Sequence, residues 1–126
     1  MKQMNINHFK NLNSDCLRGI DFYGQELDIL QERLDEISKG NTGKEASEGI
    51  EHFQNQFIIH REQMDVLRHL LHENDQNIKE QILKTNTFVD VDIAYEHQEL
   101  FDRYSAEEKI FNEMRHDFNL FAAKWM

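Results

Sequence analysis

Residues 50–78 read IEHFQNQFIIHREQMDVLRHLLHENDQNI. Apolar residues recur in this stretch at alternating spacings of three and four, which is typical of an α-helix that packs along a narrow stripe. The stripe comprises Ile50, Phe53, Phe57, His60, Met64, Leu67, Leu71, Asn74, Ile78 and Gln81. The pattern predicts one long amphipathic helix whose inward face also carries a few polar side chains.

Two further stretches repeat this spacing, from Ile6 to Ile37 and from Ile93 to Trp125. The chain contains no proline, the residue that interrupts long helices most severely. We therefore predict an all-α fold, an antiparallel three-helix bundle with long, coiled-coil-like helices. The helices are expected at about residues 5–39, 43–84 and 91–125, in a single domain that spans 1–126.

The two predicted connections carry signals for ending and starting helices. Gly40 is a candidate for a left-handed stop after the first helix. Thr42 and Glu45 have the spacing of a capping box, in which the hydroxyl accepts an amide hydrogen bond while the carboxylate reaches back. Asp90 or Asp92 would cap the third helix, because a carboxylate is stabilised at the positive end of the helix dipole. So short a first connection requires antiparallel neighbours.

The third helix contains a further capping signal. Ser105 and Glu108 have the same capping-box spacing. They leave open a break near residue 104, after which a fourth, short helix would follow.

The chain carries 24 acidic and 14 basic residues, for a formal net charge of -10. Such a surface repels nucleic acid and anionic membranes, since phosphate contacts require clustered Lys and Arg. No apolar run approaches the ~18 residues that span a bilayer, and the start, MKQMNINHFK, lacks the apolar core of a signal peptide. A single cysteine, Cys16, excludes an intrachain disulfide. We expect a cytoplasmic protein that binds neither nucleic acid nor membrane.

Residues 51–73 carry four histidines, three glutamates and one aspartate, which raises the question of a metal site. Metal sites in helical bundles need ligands that converge from facing helices, such as Glu-x-x-His with both residues on one helical face. That spacing occurs once, at Glu113 and His116, and no His-x-x-x-His occurs. The patterns therefore predict no metal site and no cofactor.

The helix phase divides most of the histidines into two groups. Those on outer faces are His52, His69, His72 and His116. His60 and His97 take inward positions on different helices, more than about 20 Å apart by the helical rise. We expect each to be a core histidine with a hydrogen-bonding partner, which for His60 would be Tyr23 Oη. The alternative is a metal or small ligand held by His60 or His97, with carboxylates such as Glu113 and Asp117.

Polar residues interrupt the inward stripes. Under antiparallel registers Asn13 and Asn74 fall close to one level, so we expect them to pair across the first two helices. Glu107 falls level with Arg68, which predicts a partly buried ion pair. The functional alternative is a polar pocket, lined by Asn13, Arg68, Asn74, Tyr104 and Glu107.

No constellation typical of catalysis is present in the sequence. The five glycines are scattered singly, so they form no phosphate-binding loop. Cys16 takes an inward position, where a thiol behaves as a small apolar group. Ser, His and Asp do not cluster at nucleophile-elbow spacing. We predict no catalytic residues and a protein that is not an enzyme.

Two apolar pairs lie off the inward stripes, Phe22 and Ile29 on the first helix and Ile59 and Val66 on the second. They fall at similar heights near the middle of the rod. Four such side chains exposed together would form an unusually apolar patch for a soluble monomer. The alternative is that they flank a core whose buried face is wider than a strict seam. We predict a protein that acts by self-association, with a homodimer favoured, or by binding an unknown protein partner.

The segment at residues 50–73 resembles one found in uncharacterised small bacterial helical proteins. The motifs that carry the resemblance are EHFQNQF at Glu51–Phe57 and D-x-L-[RK]-H at Asp65–His69. That family carries no assigned activity. The resemblance implies a small all-helical cytoplasmic protein and no particular reaction.

Overall fold

Three long helices form nearly all of the structure, a computed structural model that describes residues 4–85, 88–89 and 91–126. Its elements in chain order are β1 (Met4–Asn5), α1 (Ile6–Gly40), α2 (Lys44–Thr85), β2 (Phe88–Val89) and α3 (Val91–Trp125). The predicted helix bounds agree with these to within one residue at every end, which is the usual uncertainty of helix termini. The prediction of an all-α, three-helix bundle is confirmed.

One apolar core runs between the helices and draws residues from all three. The largest completely buried side chains include Phe57 of α2 with Phe111 and Phe118 of α3. Burying a side chain of this size contributes about 1.5–3 kcal/mol each. Within the described ranges, no helix has an apolar stretch long enough to cross a membrane.

Side-chain contacts show that α1 and α2 run antiparallel. Gln31 and Gln54 exchange two amide hydrogen bonds near the first connection, at 2.8 and 3.1 Å. Further along, Arg61 bonds Asp28 at 2.7 Å. The residue numbers rise on one helix as they fall on the other, as the short connection requires.

α3 runs unbroken through Ser105, so the predicted alternative of a fourth helix does not occur. The buried residues Leu100, Tyr104 and Phe111 keep the spacing of three and four through this point. Because the buried residues stay on one face of the helix before and after Ser105, the helix continues through this residue without a break. Glu108 does not cap Ser105, since its carboxylate accepts hydrogen bonds from tyrosines instead.

The end of α1 differs from the prediction in its detail. α1 ends at Gly40, but this glycine does not adopt a left-handed conformation. The side-chain amide of Asn41 closes the helix instead, donating to the carbonyl of Ile37 at 3.0 Å and to that of Trp125 at 3.1 Å. An asparagine therefore satisfies the terminal carbonyl that the glycine was expected to satisfy through the backbone.

The start of α2 also differs from the predicted capping box. α2 begins at Lys44, so Gly43 and not Thr42 occupies the position before the first helical residue. Glu45 reaches Lys124 of α3 at 2.5 Å and does not turn back toward Thr42. An ion pair between helices takes the carboxylate away from the local cap.

The opposite end of the bundle is joined by a short antiparallel strand pair. β1 pairs with β2 so that Met4 faces Val89 and Asn5 faces Phe88. This pairing ties the start of α1 to the segment that precedes α3. Asp92 lies in the first turn of α3, where the helix dipole stabilises it, while Asp90 lies outside the described residues.

Candidate functional site

His60 forms a buried pair with a carboxylate in the middle of the bundle. Its Nδ1 shares a hydrogen bond with Glu107 Oε1 of α3, and the two side chains are 3% and 12% exposed. His60 Nε2 makes no hydrogen bond to the described residues, and the ring packs edge-on against Phe111 at 5.6 Å. His60 is thus held by one polar contact within an apolar surround.

This pair corrects two predictions. Glu107 does not pair with Arg68, which instead reaches Asp21 of α1 at the surface. His60 does not bond Tyr23, whose hydroxyl donates to Glu108. The reason is that the prediction paired only residues on the same level, whereas His60 contacts Phe111 and Glu107, which precede Met114 on the inward stripe of α3. The helices themselves keep about the expected level, since Phe57 contacts Phe118 and Phe53 contacts Phe121.

A second polar contact lies beside the first and joins α1 to α3. Tyr23 and Tyr104 both donate from their hydroxyls to Glu108 Oε2, at 2.9 and 3.1 Å. Gly19 makes room for the second phenol, since a Cβ at that position would lie 1.8 Å from Tyr104 Oη. Burial and then the charge of Glu108 raise the pKa of Tyr104, and burial followed by the Glu108 hydrogen bond raises that of Tyr23. Both phenols therefore stay protonated and act as donors.

Cys16 is buried in the same part of the core. Burial, reinforced by the charges of Asp15 and Glu108, raises the pKa of its thiol to about 11. The thiol is therefore protonated at neutral pH, and the thiolate is the nucleophilic form. The structure thus gives Cys16 a packing position.

Sequence reasoning missed Glu108 and Gly19 as parts of this layer. Glu108 directly follows the inward-facing Glu107, so the stripe alone assigns it to the flank of the seam. The available signal was Gly19, because glycine inside a helix is less stable than alanine by about 0.5–1 kcal/mol. Its presence there indicates that another side chain approaches the backbone closely, in this case that of Tyr104.

The predicted pairing of Asn13 with Asn74 is present. Asn13 Nδ2 donates to Asn74 Oδ1 at 3.2 Å in the buried seam between α1 and α2. The larger polar pocket that would have joined this pair to Tyr104, Glu107 and Arg68 does not form. Those three side chains bond elsewhere, to Glu108, His60 and Asp21 respectively.

The outward histidines lie at the surface, as the helix phase predicts. His69 Nε2 contacts Glu73 Oε1 at 3.0 Å, with the side chains 73% and 58% exposed. Glu113 and Asp117 are also exposed and border a groove with His52, so they do not supplement the buried His60. Within the described part of the chain, no group of three or more His, Cys, Asp or Glu side chains is placed to hold a metal ion.

The four residues of the predicted apolar patch are each 46–49% exposed, and the structure divides them between the two edges of α3. On α1, Glu26 bonds Arg115 of α3 at 3.2 Å. Phe22 lies four residues before Glu26 and Ile29 three residues after it, so the three share one helical face. Phe22 and Ile29 therefore border the α1–α3 groove.

The other pair borders the opposite side of α3. His52 and Gln56 of α2 line a groove with Ile110 of α3. Ile59 lies three residues after Gln56 and Val66 seven residues further, so both continue the same edge of α2. Ile110 is itself 51% exposed. Ile59, Val66 and Ile110 define the α2–α3 groove, and the predicted patch is two separate apolar surfaces.

His97, the second inward histidine, lies near the end of the bundle that holds β1 and β2. It is 2% exposed, and its ring meets that of Phe9 edge-on at 4.8 Å. Burial, with a smaller contribution from His8, lowers the pKa of His97 below its usual 6.5. Phe9, Ile78 and Ala94 form a separate apolar cluster here, beside a cavity that His97 also lines.

Comparisons with protein families, with curated proteins and with solved structures find no match to this chain. The resemblance of Glu51–Phe57 and Asp65–His69 to small bacterial helical proteins therefore stays a prediction.

Proposed function

We propose that this protein is a non-enzymatic helical bundle that acts by self-association, as a homodimer formed through the α2–α3 groove. The observation that supports the proposal is the row of half-exposed aliphatic side chains at Ile59, Val66 and Ile110. Leu70, one turn beyond Val66, extends the row into the partly buried edge of the core. A contiguous row of exposed apolar side chains is a feature of protein-binding surfaces. Among the described residues, the large exposed apolar side chains that border the α1–α3 groove are Phe22 and Ile29.

The position of the groove favours an antiparallel arrangement of two copies. Ile59, Val66 and Ile110 lie near the middle of their helices, so a two-fold axis perpendicular to the rod places the same apolar residues opposite each other. Glu113 and Asp117 line the groove toward one end. In an antiparallel dimer the two copies carry these carboxylates at opposite ends, which limits repulsion between chains of net charge -10.

The non-enzymatic part of the proposal rests on the burial of the reactive groups. His60 is 2% exposed and bonded to Glu107, so a substrate in solvent does not reach its ring. Cys16 is equally buried, with its thiol pKa raised to about 11. A lone protonated thiol also fits the proposed cytoplasmic location.

Sedimentation equilibrium tests the proposal directly. We expect a mass of twice the 15.1 kDa chain at micromolar concentrations and above. Ile59→Glu should shift the protein to monomer, because it places a charge in the buried centre of the interface.

Ile58→Glu is the matched control. Ile58 is 46% exposed and Ile59 is 47% exposed, but successive helical residues point about 100° apart, so Ile58 faces away from the α2–α3 groove. This variant should remain a dimer. A 15.1 kDa monomer for the unmodified chain, or equal dissociation by both variants, would contradict the proposal.

A further inference from the structure

A cavity of about 200 Å³ lies between the first two turns of α1 and of α3, at the end of the bundle that holds the strand pair. It is more enclosed than the grooves along the helices. Its described lining includes Phe9, Leu12, Ala94, Tyr95, His97 and Gln98. The cavity is distant from the α2–α3 groove, so its occupation is independent of self-association.

The buried carbon-only side chains of this cavity come from both helices. Phe9 is 4% exposed and Ala94 is 7% exposed, and both belong to the end cluster of the core. Protein interiors are otherwise close-packed, with few voids larger than a water molecule. The methyl group of Ala94 leaves space that a larger side chain would fill.

The buried polar group of the cavity is the imidazole of His97, whereas Tyr95 and Gln98 are exposed. His97 is 2% exposed, and burial together with His8 lowers its pKa from the usual 6.5. A neutral imidazole offers one donor nitrogen and one acceptor nitrogen. None of the described lining residues is Asp, Glu, Lys or Arg, so the described lining provides no side-chain countercharge for an ionised ligand apart from the exposed His8 at its border.

We propose that this cavity binds a small neutral aromatic compound that carries one hydroxyl or N–H group, with His97 as its hydrogen-bonding partner. The size fits, since an apolar cavity of about 150 Å³ holds benzene and the larger volume here leaves room for a substituent. The edge of Phe9 suits a flat ring, because aromatic pairs favour edge-to-face contacts. The net charge of -10 opposes anions.

Titration calorimetry with phenol, indole, toluene and benzoate tests this site. We expect saturable one-to-one binding of phenol and indole. Toluene should bind roughly tenfold more weakly because it makes no hydrogen bond to His97. Benzoate should bind more weakly still, since its charge would be buried without a partner.

Two variants distinguish binding in the cavity from nonspecific binding to the protein surface. Ala94→Leu fills the cavity and should abolish phenol binding, whereas Ala106→Leu makes the same change at an exposed position of α3 and should leave binding intact. His97→Phe keeps a ring but removes the nitrogen atoms, and should bind phenol no better than toluene. This second variant decides the matter if Ala94→Leu does not fold.

Three results would each overturn the proposal. The first is the absence of saturable binding of phenol and indole to the unmodified protein. The second is undiminished phenol binding by a folded Ala94→Leu variant. The third is an unchanged preference for phenol over toluene in His97→Phe. None of them bears on the α2–α3 groove, whose test is the mass of the protein in solution.

Discussion

His60 and His97 occupy inward positions with the same 2% exposure, yet their surroundings differ. In the middle of the bundle, α3 places Glu107 against His60, and a close polar contact forms. At the end of the bundle, His97 instead meets the edge of Phe9 beside a cavity. The position on the stripe determines that a histidine is buried. The residues of the facing helices determine whether its ring bonds another side chain or borders a cavity. The middle is a packed polar layer, and the end is a cavity with room for a ligand.

The largest expected effect comes from breaking the middle layer. His60→Ala removes a buried ring, leaves a void and strands the carboxylate of Glu107, so we expect the free energy of unfolding to fall by about 3 kcal/mol. Urea unfolding of the variant and the unmodified chain measures this difference.

The matched control replaces two outward histidines. His69→Gln with His72→Gln should change the free energy of unfolding by no more than about 0.5 kcal/mol, because both side chains are exposed. If the double substitution of His69 and His72 lowers the free energy of unfolding more than His60→Ala does, the assigned helix phase is wrong. If His60→Ala is silent, the His60–Glu107 contact does not exist in solution.

Two glycines of α1 sharpen the contrast between packed and open regions. Gly19→Ala places a methyl group against Tyr104 Oη and displaces it from Glu108, so we expect a loss of about 1–2 kcal/mol. Gly24→Ala meets nothing within 4 Å and should gain about 0.5–1 kcal/mol from the higher helix propensity of alanine. Thermal or urea unfolding measures the sign of the change in the free energy of unfolding for each variant. A gain at Gly19 equal to that at Gly24 would show that Tyr104 does not pack there.

The smallest expected effect is the pH dependence contributed by His97. Its pKa is lowered in the fold, so the unfolded chain takes up the proton first as the pH falls below about 6.5. Acidification therefore lowers the free energy of unfolding, down to the pKa of the folded state, while above 6.5 His97 makes no such contribution. Between about pH 7 and 5, the free energy of unfolding of His97→Gln should fall less steeply than that of the unmodified chain. Parallel profiles would indicate that His97 is not buried as a neutral ring.

The helices and their inward faces could be predicted because the spacing of three and four extends without interruption through each one. The pairing of Asn13 with Asn74 followed from the short connection, which fixes the level of α2 against α1. The partner of His60 could not be predicted in the same way. Glu107 and Met114 both lie on the inward stripe of α3, about two turns apart, so the stripe alone does not distinguish them as the partner of His60.

That the two apolar pairs lie on separate surfaces could not be predicted from the sequence, for a related reason. Periodicity places Phe22, Ile29, Ile59 and Val66 beside the seam of their helices, but the packing of the third helix decides whether those edges meet. Here α3 lies between the two pairs, as the Glu26–Arg115 contact on one side and the groove at His52 and Ile110 on the other indicate.

Disulfide trapping tests the proposed antiparallel dimer most directly. Gln63 is exposed and lies midway between Ile59 and Val66, so Gln63→Cys places two thiols near the two-fold axis, while the native Cys16 is buried and protonated. Mild oxidation should convert this variant to a covalent dimer on a non-reducing gel. Asp65→Cys, exposed on a different face of α2, should stay monomeric on the same gel. Equal cross-linking of the two variants, or none in Gln63→Cys, would contradict self-association through the α2–α3 groove.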